Sequence, residues 1–149
     1  ILNYIKACEE AFLVYRVARN DLLGKKILNV NEKYYIADHG IREAIMENNQ
    51  KNINQILENI VYFEMLRRGY NVKIGKVDNL EVDFVCKKND ETIYIQVSYL
   101  LASEDTKERE FSVLENIKDN YPKYVLSTDE FDMSRNGIKH VNLIEFLVK

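Results

Sequence analysis

The residues best placed for chemistry lie in LEVDFVCKKNDETIYIQVSY, residues 80–99. The stretch reads as two strands around a KKNDE turn, with Asp83 on the first arm and Gln96 and Ser98 near the end of the second. Alternation along a strand puts Val82 and Phe84 on one face and Asp83 on the other with Glu81 and Val85. Gln96 in turn shares its face with Tyr94 and Ser98, and pairing of the arms could bring Asp83 and Gln96 to one end of a sheet. Oxygen donors of this kind suit Mg²⁺ or Mn²⁺, which activate a water and offset charge developing on a phosphate. Gln96 offers only a neutral amide oxygen and Ser98 carries no charge, so the metal site so formed is weak. An aspartate facing a glutamine and a serine is more often a hydrogen-bonded sheet face, and that reading stands beside the chemical one.

The elements that must position these residues follow from periodicity. Leu2, Ile5, Cys8 and Phe12 recur at helical spacing, then FLVYRVAR and KYYIAD alternate as strands around an NDLLGKK turn. This helix plus hairpin could be the closing half of a winged-helix unit, ending near residue 46. DHGIREAIMENNQKN is a polar connector with helical character. A long helix is expected over 50–68, with Ile53, Leu57, Ile60, Val61 and Met65 on its apolar face and Gly69 stopping it. Three strands, an amphipathic helix capped by Asp105 or Thr106, a strand after Pro122, a short strand and a final helix complete the chain. A helix joining two strands predicts an α/β fold, a mixed sheet flanked by helices.

Composition narrows the classes. The 149 residues suffice for about one domain, and 46% hydrophobic with 30% charged residues describes a folded globular chain. A formal charge of −3 argues against a strongly basic nucleic-acid module, though not against a local basic face. Cys8 and Cys86 form no CxxC pair, and His39 and His140 lack metal-ligand spacing. Two cysteines without a signal peptide suggest the reducing cytoplasm, and no apolar run approaches the ~20 residues that span a bilayer. The chain opens on Ile1 in a helical pattern, as though cut from a longer protein.

From residue 50 the order of elements, with an acid on the second strand and a polar motif on the third, resembles the restriction-endonuclease-like, PD-(D/E)XK, fold. Holliday-junction resolvases of that superfamily carry an acid on the opening helix, an aspartate on the middle strand and Glu-x-Lys on the next. The matching positions here are Glu58, Asp83, Gln96 and Ser98. The resemblance implies a metal set of Glu58, Asp83 and Gln96 and a degenerate catalytic set of Asp83, Gln96 and Ser98. The lysine that would stabilise the transition state is missing, and Lys73, Lys87 or Lys107 would have to approach from elsewhere. Arg67, Arg68, Lys73 and Lys87 are the candidate nucleic-acid contacts, although Arg67 and Arg68 also simply complement a helix dipole.

A second likeness covers nearly the whole chain. GKKILNVNEKYYIADHGIREAI, ILENIVYFEMLRRGYNVKIGKV, EVDFV, YIQVSYLL, TKEREFSVLENIKDNYPKYVLSTDE and GIKHVNLIEFL together resemble the C-terminal domain of a group of prokaryotic AAA-type ATPases. That domain is one of unknown function related to the PD-(D/E)XK nucleases. The resemblance implies an upstream ATPase domain as partner, and no G-x-x-x-x-G-K-[ST] in these residues would bind ATP. Residues 1–46 are then the end of a preceding module and 47–149 the restriction-endonuclease-like domain. The expected function is DNA binding with a degenerate nuclease site. The alternatives are a protein-interaction scaffold, and a metal-dependent nuclease with a relocated lysine near Gln96. Self-association into a homo-oligomer is compatible with each.

Overall fold

A computed structural model describes residues 2–22, 26–46 and 53–149. In chain order they form α1 (Leu2–Glu10), β1 (Val14–Asp21), β2 (Lys26–Ile36), α2 (His39–Met46) and α3 (Ile53–Arg67). There follow β3 (Asn71–Val77), β4 (Leu80–Lys88), β5 (Glu91–Val97), α4 (Glu104–Glu115), β6 (Lys123–Ser127), β7 (Lys139–Asn142) and α5 (Leu143–Val148). The seven strands make one mixed sheet in the order β2-β1-β3-β4-β5-β6-β7. Neighbours are antiparallel except β1 with β3, β5 with β6 and β6 with β7. The α/β class expected from the sequence is therefore the class observed.

The boundary expected at residue 47 crosses a continuous sheet. The β1–β2 hairpin, read as a winged-helix remnant, supplies two of the seven strands through the parallel register of Arg19 with Ile74. Val17 and Tyr35 lie in the same core as Leu57, Val61 and Met65 of α3. Residues 50–52, the expected start of this helix, lie outside the described residues, and α3 is described from Ile53. Gly69, at φ 84°, ends α3 in the left-handed conformation that a side chain resists, and Tyr70 N–H closes back on the Met65 carbonyl at 3.0 Å. The cap of α4 is Ser103 rather than Asp105 or Thr106: its hydroxyl accepts the Thr106 N–H at 3.1 Å, leaving Glu104 and Asp105 in the first turn beside the positive helix end.

Two cores sandwich the sheet. Phe84, Cys86, Ile93, Ile95 and Val97 pack under α3, whereas Val82, Val85, Tyr94 and Val125 pack with Phe111 and Leu114 of α4. Val82 and Phe84 thus face opposite sides, although simple alternation puts them together. The register explains it: Lys73 pairs with Val85 but Gly75 pairs with Val82, so β4 carries one residue more than β3 in this interval. The extra residue is a β-bulge at Asp83–Phe84, which re-aims the Asp83 side chain.

Gly75 permits that bulge. A Cβ there would stand 2.8 Å from Val85 Cγ2 and 2.9 Å from Val82 Cβ. Gly75→Ala is expected to cost about 1–3 kcal/mol by overpacking. Urea denaturation measures it, and an unshifted midpoint would mean that the bulge absorbs the methyl without strain.

Candidate functional site

The site forms where β2, α3 and β4 meet. Tyr35 of β2 is buried and stacks on Tyr62 of α3, ring centroids 4.5 Å apart and planes 15° apart. Lys33, two residues earlier on the strand, shares Tyr35's face, and Glu58, four residues before Tyr62, shares its helix face. The docking that orders the aromatic pair therefore also brings Lys33 to Glu58. Asn59, buried on α3, fixes the register: its Oδ1 accepts the Ile36 N–H at 3.0 Å and its Nδ2 donates to the Ile36 carbonyl at 2.9 Å.

Lys33 Nζ then lies among three carboxylates. It is 2.6 Å from Glu81 Oε1, 3.1 Å from Glu58 Oε2 and 3.8 Å from Asp83 Oδ1. Arg19 of β1 takes the other oxygen of Glu81. Burial opposes the Lys33 charge, but Glu58, Asp83 and Glu81 outweigh it and hold the ammonium above its ordinary range. Tyr35, whose hydroxyl reaches Glu58 at 3.5 Å, is pushed far above the usual phenol range, by burial first and then by the same carboxylates. It stays neutral at any ordinary pH.

Asp83 sits where β4 and β5 part. The ladder between them begins at Phe84 with Ile95, and ahead of it Asp83 itself bridges the strands. Its Oδ2 accepts the Val97 N–H at 2.9 Å, while its own N–H donates to Gln96 Oε1 at 3.1 Å. Gln96 Nε2 donates to Glu110 Oε2 at 2.9 Å, and Arg109 bonds the other Glu110 oxygen at 2.8 Å. Burial, and next the charge of Glu58, raise the Asp83 carboxyl well above its usual range, which Lys33 and the Val97 N–H only partly offset. Asp83 is thus a carboxylate poised to take up a proton as the pH falls.

The residues expected from the sequence separate into three places. Glu58 and Asp83 meet, through Lys33. Gln96 touches Asp83 only through the backbone N–H, and its oxygen is already engaged. Ser98 turns away, its hydroxyl bonding the Leu100 carbonyl at 3.3 Å. Arg67 lies nine residues beyond Glu58, ~13 Å along the helix at 1.5 Å per residue, and is held by Glu64. Arg68 bonds the Phe146 carbonyl and Glu64, and Lys87 lies four residues, ~13 Å, up the strand from Asp83. Lys73 pairs with Val85 on the α4 side, and Lys107 pairs with Glu104 at 2.7 Å. None of the three lysines proposed to approach does so; Lys33 does. The one sequence signal for it was a charged residue alternating with Tyr35 on a strand.

Among the described residues no group of three or more His, Cys, Asp and Glu side chains is arranged to hold a metal ion. The donor set accounts for this, because the Lys33 ammonium stands where the carboxylates converge and the Gln96 oxygen serves the Asp83 N–H. The expected set of Glu58, Asp83 and Gln96 does not fit Mg²⁺ or Mn²⁺ as folded. Beside Lys33 and Glu58 opens a cleft of about 460 Å³, lined also by Tyr34, Arg42, Gln55 and Asn59. No helix among the described residues is long and apolar enough to cross a membrane.

No family model matches the chain. No solved structure matches it either. An uncharacterized protein of Haemophilus influenzae is 37% identical over 150 residues, covering all of this chain and 37% of its own length. The uncharacterized protein MJ1544 of Methanocaldococcus jannaschii is 34% identical over 124 residues, covering 80% of this chain and 27% of its own. The chain is thus similar to a minor part of each of these two longer proteins, spanning little more than a third of one and about a quarter of the other.

Proposed function

We propose that the chain is a restriction-endonuclease-like domain of a longer AAA-type ATPase, that its own ammonium group has taken the place of the metal, and that it serves as a docking module. The observation that carries this reading is Lys33 Nζ within 4 Å of Glu58, Glu81 and Asp83. A cation-demanding cluster is satisfied from within, and a divalent ion would have to displace a bonded ammonium. The charge distribution supports docking over DNA binding: Arg67 and Arg68 are both paired with Glu64, and Lys87 lies ~13 Å up the strand from Asp83. The similarity to portions of longer proteins agrees with a module that works for a larger chain.

A second reading has its own observation. Lys33, 3.8 Å from Asp83, is a lysine relocated to the site, as an active nuclease of this type needs. Incubation with branched, single-stranded and duplex DNA in Mn²⁺, beside Asp83→Ala and Lys33→Met, separates the two. The docking reading expects no cleavage by any of the three proteins. Cleavage abolished in both variants would overturn it and make Lys33 the catalytic lysine. DNA retained without cleavage, and released by Lys87→Glu, would restore the nucleic-acid-binding reading.

A further inference from the structure

β2 ends the sheet on its side and pairs with β1 alone. In an antiparallel pair only alternate residues exchange hydrogen bonds with the partner strand, and those between turn their N–H and C=O outward. The Ala37 N–H donates to the Leu13 carbonyl at 2.9 Å, and in register with that bond Tyr15 pairs with Tyr35. Ala37 and Tyr35 therefore bond inward to β1, and Ile36 and Tyr34 present their peptide groups to the open edge. Asn59 bears this out at Ile36. Its Oδ1 takes the Ile36 N–H at 3.0 Å and its Nδ2 gives to the Ile36 carbonyl at 2.9 Å, the paired bonds that a residue of an added antiparallel strand would make. Two residues back, the outward N–H and C=O of Tyr34 have no partner among the described residues.

The space beside that peptide group is open. The cleft of about 460 Å³ has Tyr34 and Ile36 of β2 on one wall and Arg42, Gln55 and Glu58 of the helices on the other. Arg42 of α2 donates to Gln55 of α3 at 3.4 Å, which ties the helical wall together. A strand laid along the edge would carry its side chains alternately to either face. The residue opposite Tyr34 would share the face turned away from α3 and meet a tyrosine that is 44% exposed. Its neighbours would point to the Tyr35 face, where the cleft offers Arg42, Gln55 and Glu58. The segment that fits is extended, without proline opposite Tyr34, apolar at that position and polar on either side of it.

We infer that β2 takes up an extended peptide of a partner as an added antiparallel strand, its backbone bonding Tyr34 beside the Asn59 amide and its polar side chains entering the cleft next to Glu58. An unpaired strand edge is a template for another chain, and main-chain bonds supply the affinity while pockets for alternate side chains supply the choice of sequence. The Asn59 amide closes the edge at Ile36 and so sets where the added strand stops. The inference gives the docking reading the chemistry of its partner and rests on it for its purpose only. Peptide binding and DNA cleavage are independent assays, so either can fail without the other.

Fluorescence anisotropy of the whole chain with a labelled peptide of alternating valine and threonine, lysine at each end, tests it beside Tyr34→Pro and Tyr34→Ala. The unaltered protein is expected to bind the peptide. Tyr34→Pro removes an N–H that the fold leaves unused, a place where a sheet edge tolerates proline, and affinity should fall roughly tenfold or more. Tyr34→Ala keeps the backbone and loses one cross-strand contact, so affinity should fall about fivefold at most. Methylating the peptide nitrogens of the valines, which lie opposite Tyr34, should abolish binding, and methylating those of the threonines should not. Thermal unfolding shows whether Tyr34→Pro stays folded, and the two methylated peptides decide the matter without it. No binding by the unaltered protein, a folded Tyr34→Pro that binds as well, or equal loss from both methylations would each overturn the inference. So would self-association of the unaltered protein that Tyr34→Pro abolishes, which would put a second copy of the chain on the edge.

Discussion

Lys33→Met is expected to destabilise the protein by about 3–5 kcal/mol at neutral pH, the usual cost of stripping one partner from a buried ion pair. Methionine keeps much of the length and the apolar stem but removes the charge that opposes Glu58, Glu81 and Asp83. The Lys33 side chain is 27% exposed and Asp83's only 10%, so the carboxylates left behind cannot simply be hydrated. The deficit should shrink as the pH falls. Asp83 has a raised folded-state pKa, so its contribution favours folding fully below its unfolded value and is lost as the pH rises through the folded one. Removing Lys33 removes a pull that lowers that pKa and widens the window. Urea titrations at pH 7 and pH 5 would show it, and a gap equal at both would mean that the cluster does not govern stability.

The second large effect concerns the position where the resembled nucleases carry their glutamate. Gln96→Glu supplies the missing carboxylate, yet a loss of about 3 kcal/mol is expected, the scale of a buried hydrogen bond to a charged group turned unfavourable. The Gln96 amide donates to Glu110 at 2.9 Å, and a carboxylate there would face a second carboxylate inside the protein. Gln96 and Glu110 are 8% and 6% exposed, so one of them must take up a proton, and stability should recover on acidification. Isothermal titration with Mn²⁺ gives the functional half: no binding is expected from Gln96→Glu alone. Tight binding without loss of stability would show that Gln96 is a vacant ligand position and not a structural bond.

Local pattern and tertiary packing part most clearly at Asp83. Its strand, its turn and its partner strand were legible because period-two patterning and the KKNDE turn are local signals. The bulge was not, since it arises from close packing of Val82 and Val85 over Gly75, a residue on another strand. Glu58 was read correctly as helical, and Asn59 beside it passed unnoticed because its partner, the Ile36 backbone, is 23 residues away. Lys33 was missed for the same reason, and for a second one: it lies in the segment assigned to a preceding module.

By itself the amino-acid sequence determined the elements, their order, the α/β class and the presence of an aspartate on a central strand. Those follow from periodicity, caps and turns, which act over a few residues. Only the tertiary structure decided which cation meets that aspartate. The choice among Lys33, Lys73, Lys87 and Lys107 rests on sheet order, on a parallel pairing of β1 with β3 and on the stacking of Tyr35 against Tyr62. Coulomb attraction in a buried site depends on separation in space, and no local pattern records that separation.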